Sequence, residues 1–376
     1  MKPRPSRRTV IAATAALGAL SAPRSDAAQA PPSPAMQALL DYARGQRTTG
    51  LLIVRDRKVL AEANWPAPPD LPFKDFTYEI TPEGALLEDV ASQQKSFVAV
   101  LAAIAADKGL LDVERPVSAY VGARWSHAPP DQEAQIRVIH LFTMNSGLTT
   151  DIHFAAAPGT QFFYNTPVYA IAKRVLAAAA GHPLETITHD WLTAPAGLRE
   201  TSWRQRPAAF SDVGNPTGLV TSPRDAARLG QLILDGGRSD GGARIVSEPA
   251  LKALFVPSVT NPAYGRLWWL NGGAFAIRPL DRRVPGPLIP AAPPDLVAAL
   301  GALDRKLYVV PSLRLVVVRM GDASPDKDFD QQLWLRLMPA LGLSVPQAPP
   351  PTSPQTSPQS SPQNAPQTPS HLSPEP

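Results

Sequence analysis

The chain has 376 residues and no cysteine. Disulfide bonds, thiol catalysis and thiolate metal sites are therefore excluded, and an ordinary hydrophobic core has to stabilise the fold. The six histidines show no H-E-x-x-H or comparable ligand spacing, and no glycine-rich phosphate loop is present. The sequence thus gives no reason to expect a metal, a nucleotide or another cofactor.

Long apolar runs are also missing. The N-terminal run TVIAATAALGAL has 12 residues, whereas a membrane-spanning helix needs about 20. Residues 1–30 instead have the features of an export signal, with a basic start, this short apolar run and a small-x-small cleavage site, AQA. The paired Arg7 and Arg8 are typical of the twin-arginine type. We therefore expect a soluble protein without a stable membrane span, exported to the periplasm or beyond.

Outside residues 1–30, the chain carries almost no net charge. The formal charge is +4, and residues 1–30 account for all of it, with five basic residues against one acidic residue. A nearly neutral remainder gives no argument for binding nucleic acid or an anionic lipid surface. We expect no nucleic-acid partner.

The C-terminal segment is of low complexity. Residues 346–376 repeat proline, glutamine and serine, as in TSPQTSPQSSPQ, a composition with almost nothing to bury. We predict a disordered tail, with attachment to the cell wall or a partner as an alternative. Residues 31–345 should contain the folded domain.

Strand-like segments occur at both ends of this domain. GLLIVRDRKVLAEANW predicts a hairpin that turns at Asp56 and Arg57, and KLYVVPS with LRLVVVRMG predicts a second one. The pattern between about residues 112 and 257 is helical. We predict an α/β (α+β) fold, in which helices flank an antiparallel sheet formed from both chain ends and an all-helical region is inserted.

One segment combines a polar start with an apolar helix: EDVASQQKSFVAVLAAIAADKG, Glu88–Gly109. Ser92 and Lys95 are one helical turn apart and return to the same face. Near a helix N-terminus a serine gains stabilisation for negative charge, and a buried lysine can become a neutral base. Catalysis and a simple N-cap with a surface lysine are both compatible with this spacing.

Two further serine motifs serve as comparisons. The segment SPDK, Ser324–Lys327, repeats the Ser-x-x-Lys spacing but precedes an amphipathic helix, which favours a helix-capping role on a solvated face. The segment GRSDG, Gly237–Gly241, matches a nucleophile elbow, yet a helix precedes it and the only later histidine is His371 in the predicted tail. We interpret GRSDG as a glycine turn.

Several segments, in order, resemble the β-lactamase-like serine hydrolases, a family that includes class C β-lactamases, D-alanyl-D-alanine carboxypeptidases, related esterases and 6-aminohexanoate-dimer hydrolase. The resemblance extends from about Gly50 to Leu341. It is carried by ASQQKSF, IRVIHLFTMNSGL, PGTQFFYNTPVYAIAKRVL, LTAPAGLRETSW, TGLVTSPRDAARLGQLILDGG, YGRLWWLNGG and ALGALDRKLYVVPSLRLVVVRMG.

The resemblance implies roles for individual residues. Ser92 would be the acylated nucleophile, Lys95 its base and Tyr164 the phenol that moves protons. The oxyanion hole would use the backbone N–H of Ser92 and one from Leu303 or Asp304. Without the resemblance, Tyr164 reads as an aromatic residue of the core.

Two departures from the family pattern bear on the substrate. Asn165 directly follows Tyr164, where the family's asparagine comes two positions later, and Gly301-Ala302-Leu303 replaces the third motif. Asn165 and Gly301 are candidates for the substrate pocket, but no cation or hydroxyl remains in the third motif to hold a substrate carboxylate.

We therefore expect an exported serine hydrolase that cleaves a small ester, amide or peptide with less charge than a β-lactam. Two alternatives stay open. One is a penicillin-binding carboxypeptidase or β-lactamase, and the other is a non-catalytic envelope-binding protein on the same fold.

Overall fold

The computed structural model describes residues 32–70, 76–207, 215–279 and 282–346. The predicted export signal, and the predicted tail after its first residue, lie outside the described residues.

The main sheet joins the two ends of the domain. It has six antiparallel strands in the order β2-β1-β12-β11-β10-β7. The first hairpin turns through Asp56 and Arg57. Both residues have positive φ, as in the two-residue loops whose twist matches the right-handed twist of the flanking strands. The strands are β1 Thr48–Arg55, β2 Lys58–Asn64, β7 Trp269–Leu270, β10 Val297–Leu300, β11 Lys306–Val310 and β12 Leu315–Gly321.

A second sheet leads into the catalytic candidates. Its four antiparallel strands follow the order β3-β4-β6-β5, and a separate hairpin consists of β8 and β9. The strands are β3 Thr77–Ile80, β4 Leu86–Asp89, β5 Ser202–Gln205, β6 Thr217–Thr221, β8 Phe275–Arg278 and β9 Arg282–Pro285. Strand β4 ends three residues before Ser92, so this sheet determines where the helix of Ser92 begins.

Helices cover both faces of the main sheet. Tyr308 stacks edge-on against Trp334 of the last helix, whereas a side chain on Gly230 would collide with Val316, which points to the opposite face. The α-helices are α1 Pro34–Gly45, α2 Gln94–Asp107, α3 Ser118–Val121, α4 Pro130–Glu133, α5 Val138–Phe142, α6 Thr166–Ala180, α7 Leu184–Thr188, α8 Ala194–Ala196, α9 Pro223–Leu234, α10 Glu248–Lys252 and α11 Phe329–Ala340.

Helix α2 lies in the centre of the molecule. Every side chain from Gln94 to Ala105 is buried, which explains why its sequence is apolar on all faces. Among the described residues, no helix is long and apolar enough to cross a membrane.

The structure confirms the predicted fold class and both predicted hairpins, with one correction. The region between about residues 112 and 257 is not all-helical, because it contributes strands β5 and β6 to the second sheet. Both strands are short, which makes their periodicity hard to detect, and they join the sheet through β4, which comes from a distant part of the sequence.

Candidate active site

A strained turn places Ser92 at the start of helix α2. The chain leaves β4 at Asp89, passes through a 3₁₀ turn, Ala91–Gln93, and continues directly into the helix. Ala91 has a φ of +48°, a left-handed conformation that costs roughly 1–2 kcal/mol for a residue with a Cβ. A carboxylate oxygen of Asp89 accepts the N–H of Ala91 at 2.8 Å and holds this conformation.

Two buried ion pairs fix the end of strand β4. Asp89 receives two hydrogen bonds from Arg206, at 2.7 and 2.9 Å, and Glu88 lies 3.2 Å from the guanidinium of Arg305. All four side chains are buried. Because removing one member of such a pair leaves an uncompensated buried charge, these pairs anchor the backbone just before Ser92.

Lys95 is hydrogen-bonded to Ser92. Its Nζ lies 2.9 Å from the Ser92 Oγ, and the lysine is only 2 % exposed. Burial, followed by the positive charges of Arg206 and Lys173, lowers the pKa of Lys95 to about 7. A neutral amine is therefore available near neutral pH, in position to take the proton of the Ser92 hydroxyl.

Tyr164 lies close to both Lys95 and Ser92. The Lys95 Nζ is 4.9 Å from the centre of the Tyr164 ring, and Trp269 stacks on that ring with centroids 5.8 Å apart. Burial raises the pKa of Tyr164 to about 12, while a hydrogen bond with Ser92 opposes this rise. Burial thus favours the neutral phenol of Tyr164.

A second tyrosine contacts Lys95 without being placed for the same chemistry. The Tyr169 ring centre lies 4.7 Å from the Lys95 Nζ and 5.5 Å from that of Lys173. The Tyr169 hydroxyl donates to the side chain of Gln94 at 3.2 Å. Tyr169 therefore packs against both buried lysines, and its hydroxyl is bonded to Gln94 rather than to Ser92.

The Ser92 hydroxyl faces a cavity of about 360 Å³. Tyr164, Trp269 and Leu300 line it, so its walls near the nucleophile are largely aromatic and aliphatic. Cavities of about 490 and 660 Å³ also occur, but Ser92 does not line either of them. A few polar groups in a small apolar cavity are typical of a site for a small organic molecule.

Gly301 lies against the backbone of the Ser92 turn. A Cβ at this position would be 2.3 Å from the carbonyl oxygen of Val90, so only glycine permits this approach. The N–H of Gly301 donates to the carbonyl of Arg305 at 2.7 Å and is not free for a substrate. Gly301 lines the cavity through its backbone, and a role in binding substrate stays a prediction.

The predicted oxyanion residues Leu303 and Asp304 belong to a 3₁₀ turn, Ala302–Asp304. Both have positive φ, +63° and +55°. Ala302 lines the Ser92 cavity, whereas Asp304 lines the neighbouring cavity of 490 Å³. The turn is close to Ser92, and which of its N–H groups faces an oxyanion stays a prediction.

The structure corrects the prediction for Asn165. This residue is the N-cap of helix α6, where its side-chain oxygen accepts the N–H of Val168 at 3.2 Å. Its amide nitrogen donates to the carbonyls of Leu148 and Thr149. With these bonds made and only 1 % of the residue exposed, Asn165 ties a loop to the helix and does not line the Ser92 cavity.

The positive charges near the third motif differ in their surroundings. Arg305 is fully buried and directed at Glu88, away from the cavity. Lys306 lines the cavity, but its Nζ lies 3.2 Å from Asp304 and 3.3 Å from Asp330. A lysine held between two carboxylates is neutralised locally.

Sequence reasoning missed one cation in the cavity. Arg278, at the end of strand β8, lines the same cavity as Ser92. Its position depends on how the β8-β9 hairpin lies over the cavity, and no motif in the sequence indicates this.

The two remaining serine motifs are not catalytic sites of this kind. Ser239 of the GRSDG segment sits in a turn, where a side chain on Gly237 would collide with the carbonyl of Val246. Ser324 donates to Gln46 at 2.8 Å and precedes the cap of helix α11, which is Asp328. The expected capping role of Ser324 is therefore wrong.

Comparisons with known proteins identify the family and the fold of the chain. A family model described as beta-lactamase matches residues 35–337. No curated protein matches the chain. Solved structures with the same fold include a β-lactamase/D-alanine carboxypeptidase from Pseudomonas syringae, which is 16% identical with a TM-score of 0.59, the match covering 83% of this chain and 99% of that one.

Two further solved structures extend the range of relatives. A class C β-lactamase from Rhodobacter sphaeroides is 16% identical with a TM-score of 0.58, the match covering 82% of this chain and 99% of that one. EstCE1, described as a hydrolase with promiscuous acyltransferase activity, is 14% identical with a TM-score of 0.57, the match covering 82% and 97% of the two chains. Identities this low establish a shared fold. The family model covers most of the chain and points to a hydrolase: the protein belongs to the β-lactamase family.

Proposed function

We propose that the protein is a serine hydrolase that cleaves an ester or amide through an acyl-enzyme on Ser92. The observation that carries the proposal is the 2.9 Å hydrogen bond between the Ser92 hydroxyl and a buried lysine whose pKa is about 7. A lysine can act as the base for a serine at neutral pH only when it is buried and partly deprotonated.

In the acylation step, the Ser92 Oγ attacks the substrate carbonyl carbon and its proton passes to the amine of Lys95. The carbonyl π electrons move to oxygen, and the backbone N–H of Ser92 and one from the turn Ala302–Asp304 stabilise the oxyanion. When the intermediate collapses, the bond to the leaving group breaks and Tyr164 donates a proton to the leaving oxygen or nitrogen. The proton on Lys95 then restores the phenol of Tyr164.

Deacylation reverses these roles with water. A water molecule attacks the acyl carbon and transfers a proton to the amine of Lys95. The bond between that carbon and the Ser92 Oγ then breaks, and the proton returns to the serine. The product is a carboxylic acid, and all three side chains end in their initial protonation states.

Intact mass after treatment with a fluorophosphonate probe tests the nucleophile directly. We expect one adduct, located on Ser92, and its loss in the Ser92→Ala variant. In a matched assay with an activated acyl ester, Ser92→Ala should lower kcat by roughly 10³-fold or more, whereas Ser324→Ala should have no effect. Labelling of another serine, or unchanged hydrolysis by Ser92→Ala, would exclude this mechanism.

A β-lactam-directed activity is the second candidate, because the P. syringae and R. sphaeroides structures carry that description. A fluorescent penicillin should label Ser92 if the protein takes such substrates. If a high penicillin concentration gives no labelling but the fluorophosphonate probe does, the result would exclude the β-lactam-directed activity and support the esterase or amidase activity.

We also propose that the protein is exported and that residues 31–345 form the mature catalytic domain. The basic start and AQA site of residues 1–30 support this proposal. N-terminal sequencing of the protein recovered from the periplasm should find a start near Pro31. A full-length chain in the cytoplasm, unaffected by Arg7→Lys with Arg8→Lys, would contradict it.

A non-catalytic envelope-binding role remains the alternative from another class. It would be supported if the protein forms no covalent adduct but is retained by cell-wall material through residues 346–376. Retention of the full chain and release of a chain that ends at residue 345 would be the deciding result.

A further inference from the structure

The turn Ala302–Asp304 has a backbone conformation that its own residues disfavour. Leu303 and Asp304 both have positive φ, +63° and +55°, which residues with a Cβ seldom adopt. Such a conformation persists where the surrounding structure imposes it. The turn lies against the proposed nucleophile, since a Cβ on Gly301 would be 3.3 Å from the backbone nitrogen of Gln93. The contacts that hold this turn therefore bear on the proposed reaction.

The side chain of Arg319 holds the turn. Arg319 belongs to β12, an inner strand of the main sheet. Its Nη1 donates to the carbonyl of Leu303 at 2.7 Å and to that of Asp304 at 3.1 Å. In a trans peptide, the C=O and the N–H of the same plane point in opposite directions. By fixing the Leu303 carbonyl, Arg319 therefore also fixes the N–H of Asp304, which points away from the guanidinium.

The other donors of Arg319 are bonded as well. Its Nε donates to the hydroxyl of Thr48 at 3.0 Å, and its Nη2 donates to the carbonyls of Gln46 at 2.6 Å and Asp322 at 2.8 Å. Together with the two bonds to the turn, these bonds use all five N–H groups of the guanidinium, and every acceptor is neutral. Because the guanidinium is a rigid plane, five bonds leave it a single orientation, and the turn is held rigidly.

The burial of Arg319 indicates a role beyond packing. Residues 315–318 and Met320 of the same strand are apolar, and Arg319 is fully buried among them. Burial lowers the pKa of Arg319 to about 10, so it is charged at neutral pH. Burying a charge is costly, and apolar side chains often stabilise a core equally well. The arginine adds two bonded carbonyls and a positive charge behind them, which strengthens the N–H of the same peptide as a donor.

We propose that Arg319 is a positioning residue for the oxyanion hole. It orients the Leu303–Asp304 peptide so that the N–H of this peptide meets the oxyanion that forms on the substrate. The inference rests on the proposed function and adds to it a residue that does not touch the substrate. Arg319 acts mainly at the transition state, because the oxyanion develops there and is absent from the bound substrate.

The variant Arg319→Lys tests this role with an activated acyl ester. Lysine keeps the charge but lacks the rigid fork, so it cannot hold both carbonyls of the turn together with its other partners. We expect kcat to fall by about 10- to 100-fold and KM to change by less than about threefold, since complete loss of one oxyanion donor costs about 10²–10³-fold in kcat. Phenylboronic acid forms a tetrahedral anionic adduct with a reactive serine, so its inhibition constant should rise by about the same factor as kcat falls.

Thr48→Val is the matched control. It leaves the Nε of the same guanidinium unpaired in the core, but both bonds to the turn remain. The urea midpoint of unfolding should fall as it does in Arg319→Lys, because a buried donor loses its partner. The kcat and the inhibition constant of phenylboronic acid should stay within about threefold of the original values. If Arg319 served only stability, folded Arg319→Lys would keep its kcat in the same way.

The outcomes separate this inference from the proposed function. If Ser92 forms the fluorophosphonate adduct but folded Arg319→Lys keeps its kcat, or loses no more than Thr48→Val, the inference is overturned and the proposed function stands. A change confined to KM would overturn it as well. If the unmodified protein forms no adduct on Ser92, the proposed function fails and the inference fails with it. Should Arg319→Lys not fold, Arg319→Gln replaces it, and its kcat should fall at least as far because the charge is also lost.

Discussion

The segments Ala91–Lys95 and Ala323–Lys327 share the pattern Ala-Ser-x-x-Lys but differ in nearly every physical respect. Lys95 is buried and bonded to Ser92, whereas Lys327 is exposed and Ser324 bonds to Gln46. The difference arises from what surrounds each segment: helix α2 is buried on every face, while helix α11 begins only at Phe329. Burial, more than spacing, turns a lysine into a base.

Exchanging each lysine for methionine should separate the two segments most clearly. Lys95→Met keeps the buried volume but removes the base, and we expect kcat to fall by roughly 10³-fold. Lys327→Met should leave kcat unchanged, because this lysine contacts neither Ser92 nor the cavity around it. Steady-state hydrolysis of an activated ester, with circular dichroism to verify folding, measures both. Equal losses in the two variants would contradict the assignment of Lys95.

Two tyrosines, Tyr164 and Tyr169, lie near Lys95, and we expect their hydroxyl groups to differ in importance. Tyr164→Phe removes the phenol that donates to the leaving group, and we expect a loss of roughly 10²-fold in kcat. Tyr169→Phe keeps the ring that packs against the two lysines and loses only the bond to Gln94, so its effect should be within about tenfold. If Tyr169→Phe has the larger effect, the roles of the two tyrosines are reversed.

The pH dependence should report the buried lysine. The proposed mechanism requires neutral Lys95, so kcat/KM should fall as the pH drops below about 7, where burial places the pKa of that residue. Lys173→Met removes a positive charge that disfavours protonation of Lys95. The pKa should then rise, the acid limb should move to higher pH, and activity at pH 7 should drop by roughly threefold.

Lys252→Met is the control for this shift. It removes the same charge from an exposed lysine that pairs with Glu248 on the surface. Its acid limb should coincide with that of the unmodified protein. A limb that does not move in Lys173→Met would show that Lys173 leaves the proton affinity of Lys95 unchanged.

The smallest expected effect concerns the alanine before each serine. Ala91 has positive φ, so Ala91→Gly should relieve strain and raise the free energy of unfolding by up to about 1 kcal/mol. Ala323 is not in this conformation, and Ala323→Gly should lower the free energy of unfolding by about 0.5–1 kcal/mol. Urea denaturation measures both, and changes of the same sign would show that the turn before Ser92 is not strained.

Sequence reasoning found the parts of the fold that local chemistry determines. The turn at Asp56 and Arg57 and the apolar helix behind Ser92 are readable because each signal lies within a few residues. The resemblance to a known family added Tyr164, which the structure brings to Lys95. The Asn165 side chain was misplaced because a helix cap and a pocket residue look alike in sequence.

The missed features depend on contacts between distant segments. Strand β6 lies between β5 and β4, and β4 comes from a distant part of the sequence; Arg278 likewise lines the cavity because of where the β8-β9 hairpin lies. The pKa of Lys95 likewise depends on Arg206 and Lys173, which arrive from elsewhere in the chain. No single-sequence pattern encodes such distances.

The pairing of strands β1 and β12 has a consequence for how the protein folds. Thr48 is paired with Gly321, so the sheet closes only after nearly the whole domain is available. Contacts this far apart in sequence make folding slow. Ser92 and Lys95 occur early in the chain, yet the turn at Ala302–Asp304, which we propose to complete their site, is among the last segments to emerge. A nascent chain should therefore carry the proposed nucleophile long before it can have any activity, and truncation within β12 should leave an inactive, aggregation-prone product.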